Sequence, residues 1–143
     1  MSNIDKINKF DRFYINVANE VAKLSYAKRS QVGAILVKDG NIISFGYNGM
    51  PHGFDNICED ENNVTNKEVL HAESNVIAKI AKTNQSSDNS ILYITLSPCI
   101  ECAKLIKQAG IKEVIYSNEY RETSGLEFLK KCDIKLKKVN CTN

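Results

Sequence analysis

The chain has 143 residues, of which 43% are hydrophobic and 25% are charged, and its net charge is +2. This length predicts a single domain over residues 1–143 with a substantial core. The small net charge argues against nucleic acid as a partner, and no apolar run reaches the ~20 residues that cross a membrane. The first residues lack the apolar stretch of a signal peptide, so we expect a cytoplasmic protein, in the host cytoplasm if the source is viral.

Five cysteines occur, at positions 58, 99, 102, 132 and 141. An odd number in a chain without small-secreted-domain character argues against a disulfide framework. In a reducing compartment, the Cys99-x-x-Cys102 pair therefore indicates metal or redox chemistry.

The first half of the chain predicts a helix followed by a hairpin. Apolar residues recur at three- and four-residue steps in an amphipathic helical pattern, at Ile7, Phe10, Tyr14, Val17, Val21 and Leu24. Residues 32–38 and 41–47 are predicted strands, joined by an Asp39-Gly40 turn. A polar stretch over about 48–66 then interrupts regular structure.

The second half alternates helices and strands. Helices are predicted over 70–82, from Pro98 to Gly110, and over 124–132. Strands are predicted over 91–96, 111–116 and 134–139, with Pro98 at a first helical position. A hairpin followed by this alternation implies an α/β fold, with a mixed five-stranded sheet covered by helices.

His71-Ala72-Glu73 and Pro98-Cys99-x-x-Cys102 carry the chemistry. One imidazole and two thiolates are three zinc ligands, which leaves a fourth tetrahedral position for water. Glu73 is a carboxylate that can move protons at that water. H-x-E followed by P-C-x-x-C is the signature of zinc-dependent nucleobase deaminases.

The spacing of these residues predicts their local geometry. Residues two apart do not share a helix face, so we expect His71 and Glu73 at the entry from loop to helix. Cys99 and Cys102 are three apart and share a face in the first turn after Pro98, where the helix dipole favours thiolates. Two alternatives remain open: a structural zinc with His52 or Cys58 as fourth ligand, or a redox pair.

Three segments, at 46–53, 92–99 and 103–116, resemble those of the deoxycytidylate (dCMP) deaminase family of cytidine-deaminase-fold enzymes. The first reads Gly-Tyr-Asn-Gly-Met-Pro-His-Gly, and the likeness extends over roughly residues 29–139. The resemblance implies a three-layer α/β/α fold and a Zn²⁺ cofactor. It also implies hydrolysis of dCMP to ammonia and dUMP, which supplies thymidylate synthesis.

The resemblance also implies roles for individual residues. His71, Cys99 and Cys102 match the zinc ligands, and Glu73 matches the proton shuttle. Substrate contacts are implied for a further set: Asn48, Ala72, Ser97, Tyr120 and Arg121. Asn48 would bind the sugar hydroxyl, unless it only forms a turn before Gly49. Arg121 would bind the phosphate under a Tyr120 lid, unless it is a solvated loop arginine.

Members of this family are often hexamers, activated by dCTP with Mg²⁺ and inhibited by dTTP, and the resemblance implies the same here. The implied effector loop contains Gly46, Tyr47, Asn48 and Gly49, whose glycines permit close approach of phosphates. Arg29 is expected to face the effector phosphates. The alternative is that these glycines only shape the rim of the active site.

Two further features have simple interpretations. We expect no second structural zinc near Cys58, which has only His52 beside it in the sequence. Lysines near the carboxyl terminus, at 130, 131, 135, 137 and 138, are interpreted as charge on an edge strand rather than a nucleic-acid surface. Other functions left open are deamination of free cytidine or deoxycytidine, deamination of an RNA base, and a zinc-stabilised binding module.

Overall fold

The structure, a computed structural model, describes residues 3–140, and its side chains are described from Lys9 onward. Ile7, which belongs to the predicted helical pattern, and Cys141 therefore lie outside the described side chains. Four helices and five strands follow one another in this order: α1 Asn3–Ala22, β1 Gly33–Lys38, β2 Asn41–Tyr47, α2 Ala72–Ile80, β3 Ile91–Leu96, α3 Ile100–Gln108, β4 Glu113–Asn118, α4 Ser124–Lys131 and β5 Lys135–Lys138.

The strands form one mixed sheet in the order β2-β1-β3-β4-β5. β1 is antiparallel to β2 and β3, whereas β3, β4 and β5 are parallel. α3 and α4 are the crossover helices of two successive strand–helix–strand units, as parallel neighbours require. This topology confirms the predicted mixed five-stranded α/β fold.

The sheet separates two apolar clusters and so makes three layers. Ile35 and Val37 of β1 pack in the cluster that contains Ile15 of α1. Ala34 and Leu36 alternate with them and belong to the larger cluster with residues of α2, α3 and α4. Because β1 is buried on both faces, its sequence is a continuous apolar run rather than an alternating one.

The β1–β2 hairpin is confirmed at its predicted turn. Asp39 has φ 51° and Gly40 has φ 79°, so both central residues are left-handed. That is the requirement of a type I′ turn, which matches the right-handed twist of the flanking strands.

β5 lies at the edge of the sheet, so the charges of Lys135, Lys137 and Lys138 lie on an edge strand as expected, whereas Lys130 and Lys131 belong to α4. Lys137 has a second role, because its Nζ lies 2.6 Å from Oδ2 of the buried Asp11. The hydroxyl of Tyr93 donates to Oδ1 of the same carboxylate at 2.8 Å. This network ties α1 to β3 and to the edge strand.

Three predicted element starts differ from the structure by two residues. α3 begins at Ile100 with Cys99 as its N-cap, so Pro98 precedes the helix and is not its first residue. α2 begins at Ala72 rather than at 70, because the backbone of Leu70 pairs with Gly49. β4 begins at Glu113 rather than at 111, because the N–H of Ile111 still donates to Ile106 O at the end of α3.

No helix within residues 3–140 is both long enough and apolar enough to cross a membrane.

Candidate active site

The three candidate metal ligands stand at the starts of two neighbouring helices. His71 is the N-cap of α2 and Cys99 is the N-cap of α3, both with extended backbones. Cys102 is the third residue of α3, and Glu73 is the second residue of α2. The prediction that His71 and Glu73 lie at a helix entry is confirmed. Because the backbone of the N-cap residue is extended rather than helical, two side chains that are two residues apart can lie on the same side of the chain.

The geometry of the three ligands fits a tetrahedral zinc ion. Nδ1 of His71 lies 3.3 Å from Sγ of Cys102 and 3.6 Å from Sγ of Cys99. A tetrahedral site with typical Zn–N and Zn–S bonds places nitrogen and sulfur about 3.5 Å apart. Within the described residues these three form the cluster of metal-ligand type, and neither His52 nor Cys58 belongs to it. Three protein ligands leave the open position of a catalytic site.

The pKa values of the two thiols are shifted in opposite directions. Hydrogen bonds from Cys102 and then His71 lower the pKa of Cys99 to about 3. The pKa of Cys102 is raised, first by its hydrogen bond to Cys99 and then by burial. The pKa of His71 is raised, mainly by its hydrogen bond with Cys99. Since zinc binds thiolates and neutral imidazole, metal binding at this cluster releases protons.

Glu73 is a buried carboxyl beside the ligand cluster, with a relative exposure of 4%. Burial raises its pKa to about 7, against the opposing effect of a backbone hydrogen bond. Near neutral pH such a group is able both to take up and to give a proton.

A cavity of about 270 Å³ opens over this cluster. His71, Glu73 and Cys99 line it from the starts of α2 and α3. The remaining lining includes the loop before β1, with Arg29, and the long loop between β2 and α2, with Glu59. A ligand that fills the cavity would therefore contact both loops.

The structure brings four of the five predicted substrate contacts to this cavity and leaves one outside. Ala72, Ser97 and Tyr120 are among the lining residues. Ser97 Oγ accepts the backbone N–H of Tyr120 at 2.7 Å, which holds the ends of β3 and β4 together. Arg121 is exposed and is not among the lining residues, so its contact with a phosphate stays a prediction.

Asn48 lines the cavity but its amide already has backbone partners. Oδ1 accepts the N–H of Val32 at 2.8 Å, and Nδ2 donates to Ser30 O at 2.7 Å. Asn48 therefore fixes the loop before β1, and one Nδ2 hydrogen stays free of these two bonds. Its contact with a sugar hydroxyl stays a prediction.

The predicted effector residues brace the start of α2. A Cβ on Gly46 would lie 3.0 Å from the backbone N of Val76, so this glycine allows β2 to approach the helix closely. Gly49 exchanges two backbone hydrogen bonds with Leu70, beside His71. Tyr47 O accepts from the side chain of Asn75 at 3.1 Å. Effector binding by this loop stays a prediction.

Two functional candidates were not assigned to this cavity from the sequence. Arg29 was expected at an effector site, yet it lines the same cavity as Glu73. Glu59 lies in the polar stretch predicted over about 48–66, yet it is buried and its Oε2 accepts the backbone N–H groups of Lys28 and Arg29 at 2.8 and 3.0 Å. No local pattern signals these contacts, because they join segments about thirty residues apart.

Several known proteins are similar to this chain in sequence and in fold. Residues 8–118 match the family model for the cytidine and deoxycytidylate deaminase zinc-binding region. The chain is 39% identical to human deoxycytidylate deaminase over 132 residues, covering 83% of this chain and 71% of the human protein. It is 34% identical to the Schizosaccharomyces pombe deoxycytidylate deaminase over 126 residues, covering 80% of this chain but only 39% of the yeast protein.

The structure is also similar to the crystal structure of dCMP deaminase from the cyanophage S-TIM5 in complex with dCMP and dUMP. The TM-score is 0.90 at 43% identity, and the match covers 97% of this chain and 99% of the phage chain. The chain belongs to the cytidine and deoxycytidylate deaminase zinc-binding family.

Proposed function

We propose that this chain catalyses the hydrolysis of dCMP to dUMP and ammonia. The observation that carries the proposal is the His71–Cys99–Cys102 cluster beside buried Glu73 in one cavity. Similarity to the cyanophage enzyme that binds dCMP and dUMP supports this substrate.

The residues divide the chemistry between them. Zn²⁺, when held by the three ligands, supplies Lewis acidity that brings the pKa of a water to about 7. Glu73 takes a proton from the attacking water and delivers it to the ring nitrogen next to C4. Glu73 then moves the second proton of that water to the 4-amino group, the C4–N bond breaks, and ammonia leaves while the water oxygen stays on C4 as the carbonyl oxygen of dUMP. Burial of Glu73 excludes competing solvent from this transfer.

The phosphate of dCMP needs a cationic partner near the cavity. Tyr120 lines the cavity and Arg121 follows it, so we assign Arg121 to the phosphate and Tyr120 to a lid. Arg29 lines the same cavity as Glu73, which favours the substrate phosphate over a separate effector as its ligand.

Ammonia release from dCMP and from deoxycytidine tests this assignment. We expect dCMP to be the better substrate, and Arg29→Ala and Arg121→Ala to reduce dCMP turnover far more than deoxycytidine turnover. Arg12→Ala, on the exposed face of α1, is the matched control. Equal losses on both substrates would remove the altered arginine from the phosphate role. Turnover of an RNA base or of free nucleoside alone would replace dCMP as the substrate.

We propose in addition a homohexamer that is activated by dCTP with Mg²⁺ and inhibited by dTTP. The family resemblance of the loop from Gly46 to Gly53 supports this regulation. Sedimentation equilibrium measures the assembly, and dCMP turnover with each nucleotide measures the response. Unchanged turnover with both nucleotides would exclude the regulation and leave the deaminase activity intact.

A further inference from the structure

We propose that Asn48-Gly49 is a latent deamidation site, which the fold protects and which, once modified, disrupts the wall of the cavity. The chemistry of this modification is independent of the proposed function; only its effect on turnover rests on the dCMP deaminase activity.

The first observation lies in the sequence. Asn48 is the one asparagine of the chain that a glycine follows. In such a pair the backbone nitrogen of the glycine attacks Cγ of the asparagine, and the missing side chain of glycine leaves this approach unhindered. A Cγ–N bond forms, the Cγ–Nδ2 bond breaks, and ammonia leaves with the proton of the backbone nitrogen. Water then opens the succinimide ring, which yields aspartate or isoaspartate in place of asparagine.

The second observation is that the structure holds the two reacting groups on different segments. Oδ1 of Asn48 accepts the N–H of Val32 at 2.8 Å, and its Nδ2 donates to Ser30 O at 2.7 Å. The N–H of Gly49 donates instead to Leu70 O at 3.1 Å. These three hydrogen bonds fix the amide on the loop before β1 and the attacking nitrogen on the segment before α2, so the ring closes only after all three break.

The backbone of Asn48 is held as well. Its N–H donates to Val32 O at 3.2 Å, and its carbonyl oxygen accepts from Oγ of the buried Ser25 at 2.7 Å. All four polar atoms of Asn48 therefore have partners, and the side chain turns toward Gly49 only when the loop opens. Since loops open locally far more often than a whole domain unfolds, local opening sets the rate of modification.

Modification damages the wall of the cavity. Aspartate has an oxygen where Nδ2 donates to Ser30 O, so two acceptors would face each other across a distance of 2.7 Å. Isoaspartate in addition lengthens the backbone by one methylene group, beside the paired Gly49 and Leu70. Because Asn48 and Ser30 both line the cavity, either product displaces its wall and should lower dCMP turnover.

Peptide mass spectrometry measures the deamidation of each asparagine during incubation at neutral pH. In guanidinium chloride, above the unfolding midpoint, we expect Asn48 to be modified faster than every other asparagine. In the folded wild type we expect its modification to be at least about tenfold slower than in denaturant, since three hydrogen bonds must break and each contributes a factor of about two or more. Equal rates in the two states, or no preference for Asn48 in denaturant, would overturn the proposal.

Ser25→Ala tests the protective role of the loop contacts. It removes the hydroxyl that holds Asn48 O, so we expect the rate at Asn48 in the folded protein to rise by about threefold to tenfold, the range of one hydrogen bond. Ser86→Ala, at an exposed position in the loop after α2, is the matched control and should leave the rate unchanged. A wild-type rate in Ser25→Ala would overturn the protection. If Ser25→Ala fails to fold, the comparison of folded and denatured wild type decides.

Asn48→Asp measures the consequence of the modification directly. We expect a urea midpoint below that of the wild type and a dCMP turnover lowered by about tenfold or more, the effect of a polar pair left unsatisfied. A wild-type value of either quantity would overturn the claim that modification disrupts the wall. A wild type that releases no ammonia from dCMP would refute the proposed function alone, because the rates of modification are measured by mass.

Discussion

Gly125→Ala tests how closely α4 supports the metal ligands. Gly125 is the second residue of α4, and a Cβ built on it would clash with Pro98 O and would lie 2.8 Å from the carbonyl carbon of Cys99 and 2.9 Å from Cys99 O. All three are backbone atoms, so no side-chain rotation relieves the clash. The added methyl group must push α4 away or displace the backbone of Cys99.

The size of the effect follows from these distances. Restoring an ordinary contact needs a shift of at least about 1 Å, since non-bonded carbon contacts are most favourable near ~3.5–4 Å. Overpacking of this kind lowers the free energy of unfolding by about 1–3 kcal/mol. Zinc bond lengths hold to within about 0.2 Å, so moving the Cys99 backbone should also weaken zinc binding, by about tenfold to a hundredfold.

Urea denaturation measures the stability, and competition with a chromogenic chelator measures the zinc affinity. Gly49→Ala makes the same chemical change where the nearest atom outside the adjoining residues is 3.9 Å away, in the ring of Tyr47, so we expect both quantities to stay near wild type. Wild-type zinc affinity and an unchanged urea midpoint in Gly125→Ala would refute the argument that α4 holds the Cys99 backbone in place.

Three further predictions address the acid–base residue, the buried network and the hairpin. Glu73→Gln should keep zinc but lose about a hundredfold to ten-thousandfold in dCMP turnover, because the proton transfer is lost; undiminished turnover of the zinc-loaded variant would contradict the mechanism. Tyr93→Phe removes the hydroxyl that donates to Asp11, so we expect the free energy of unfolding, measured by urea denaturation, to fall by about 1–3 kcal/mol while dCMP turnover stays normal. A wild-type urea midpoint would argue against a contribution of that hydrogen bond to stability. A Cβ added at Gly40 would meet no atom within 4 Å, but this residue has φ 79°, so backbone strain alone should lower the free energy of unfolding of Gly40→Ala by about 1–2 kcal/mol. An unchanged urea midpoint would disprove the strain.

The sequence predicted some elements to the residue and misplaced the ends of others. β2 and β3 have the predicted bounds, 41–47 and 91–96, because a left-handed Asp39-Gly40 turn and a continuous apolar run are local signals. The start of β4 was misplaced because the N–H of Ile111 still donates to Ile106 O at the end of α3. The start of α2 was misplaced because the backbone of Leu70 pairs with the distant Gly49. Such bonds leave no trace in the residues around a boundary.

The amino-acid sequence was sufficient to predict the type of site. A histidine and two cysteines at these spacings predict a zinc site, and an acid two residues after the histidine lies at a helix entry, because donor atoms and local backbone geometry belong to short segments of chain. The surroundings of the site, in contrast, depend on how distant segments of the chain fold together. The packing of α2 and α3 on one face of the sheet brings Nδ1 of His71 within 3.3 Å of Cys102 Sγ. The fold of the long loop places Glu59 beneath the backbone of Arg29, because burial and long-range hydrogen bonding, rather than neighbouring residues, govern the approach of segments thirty positions apart.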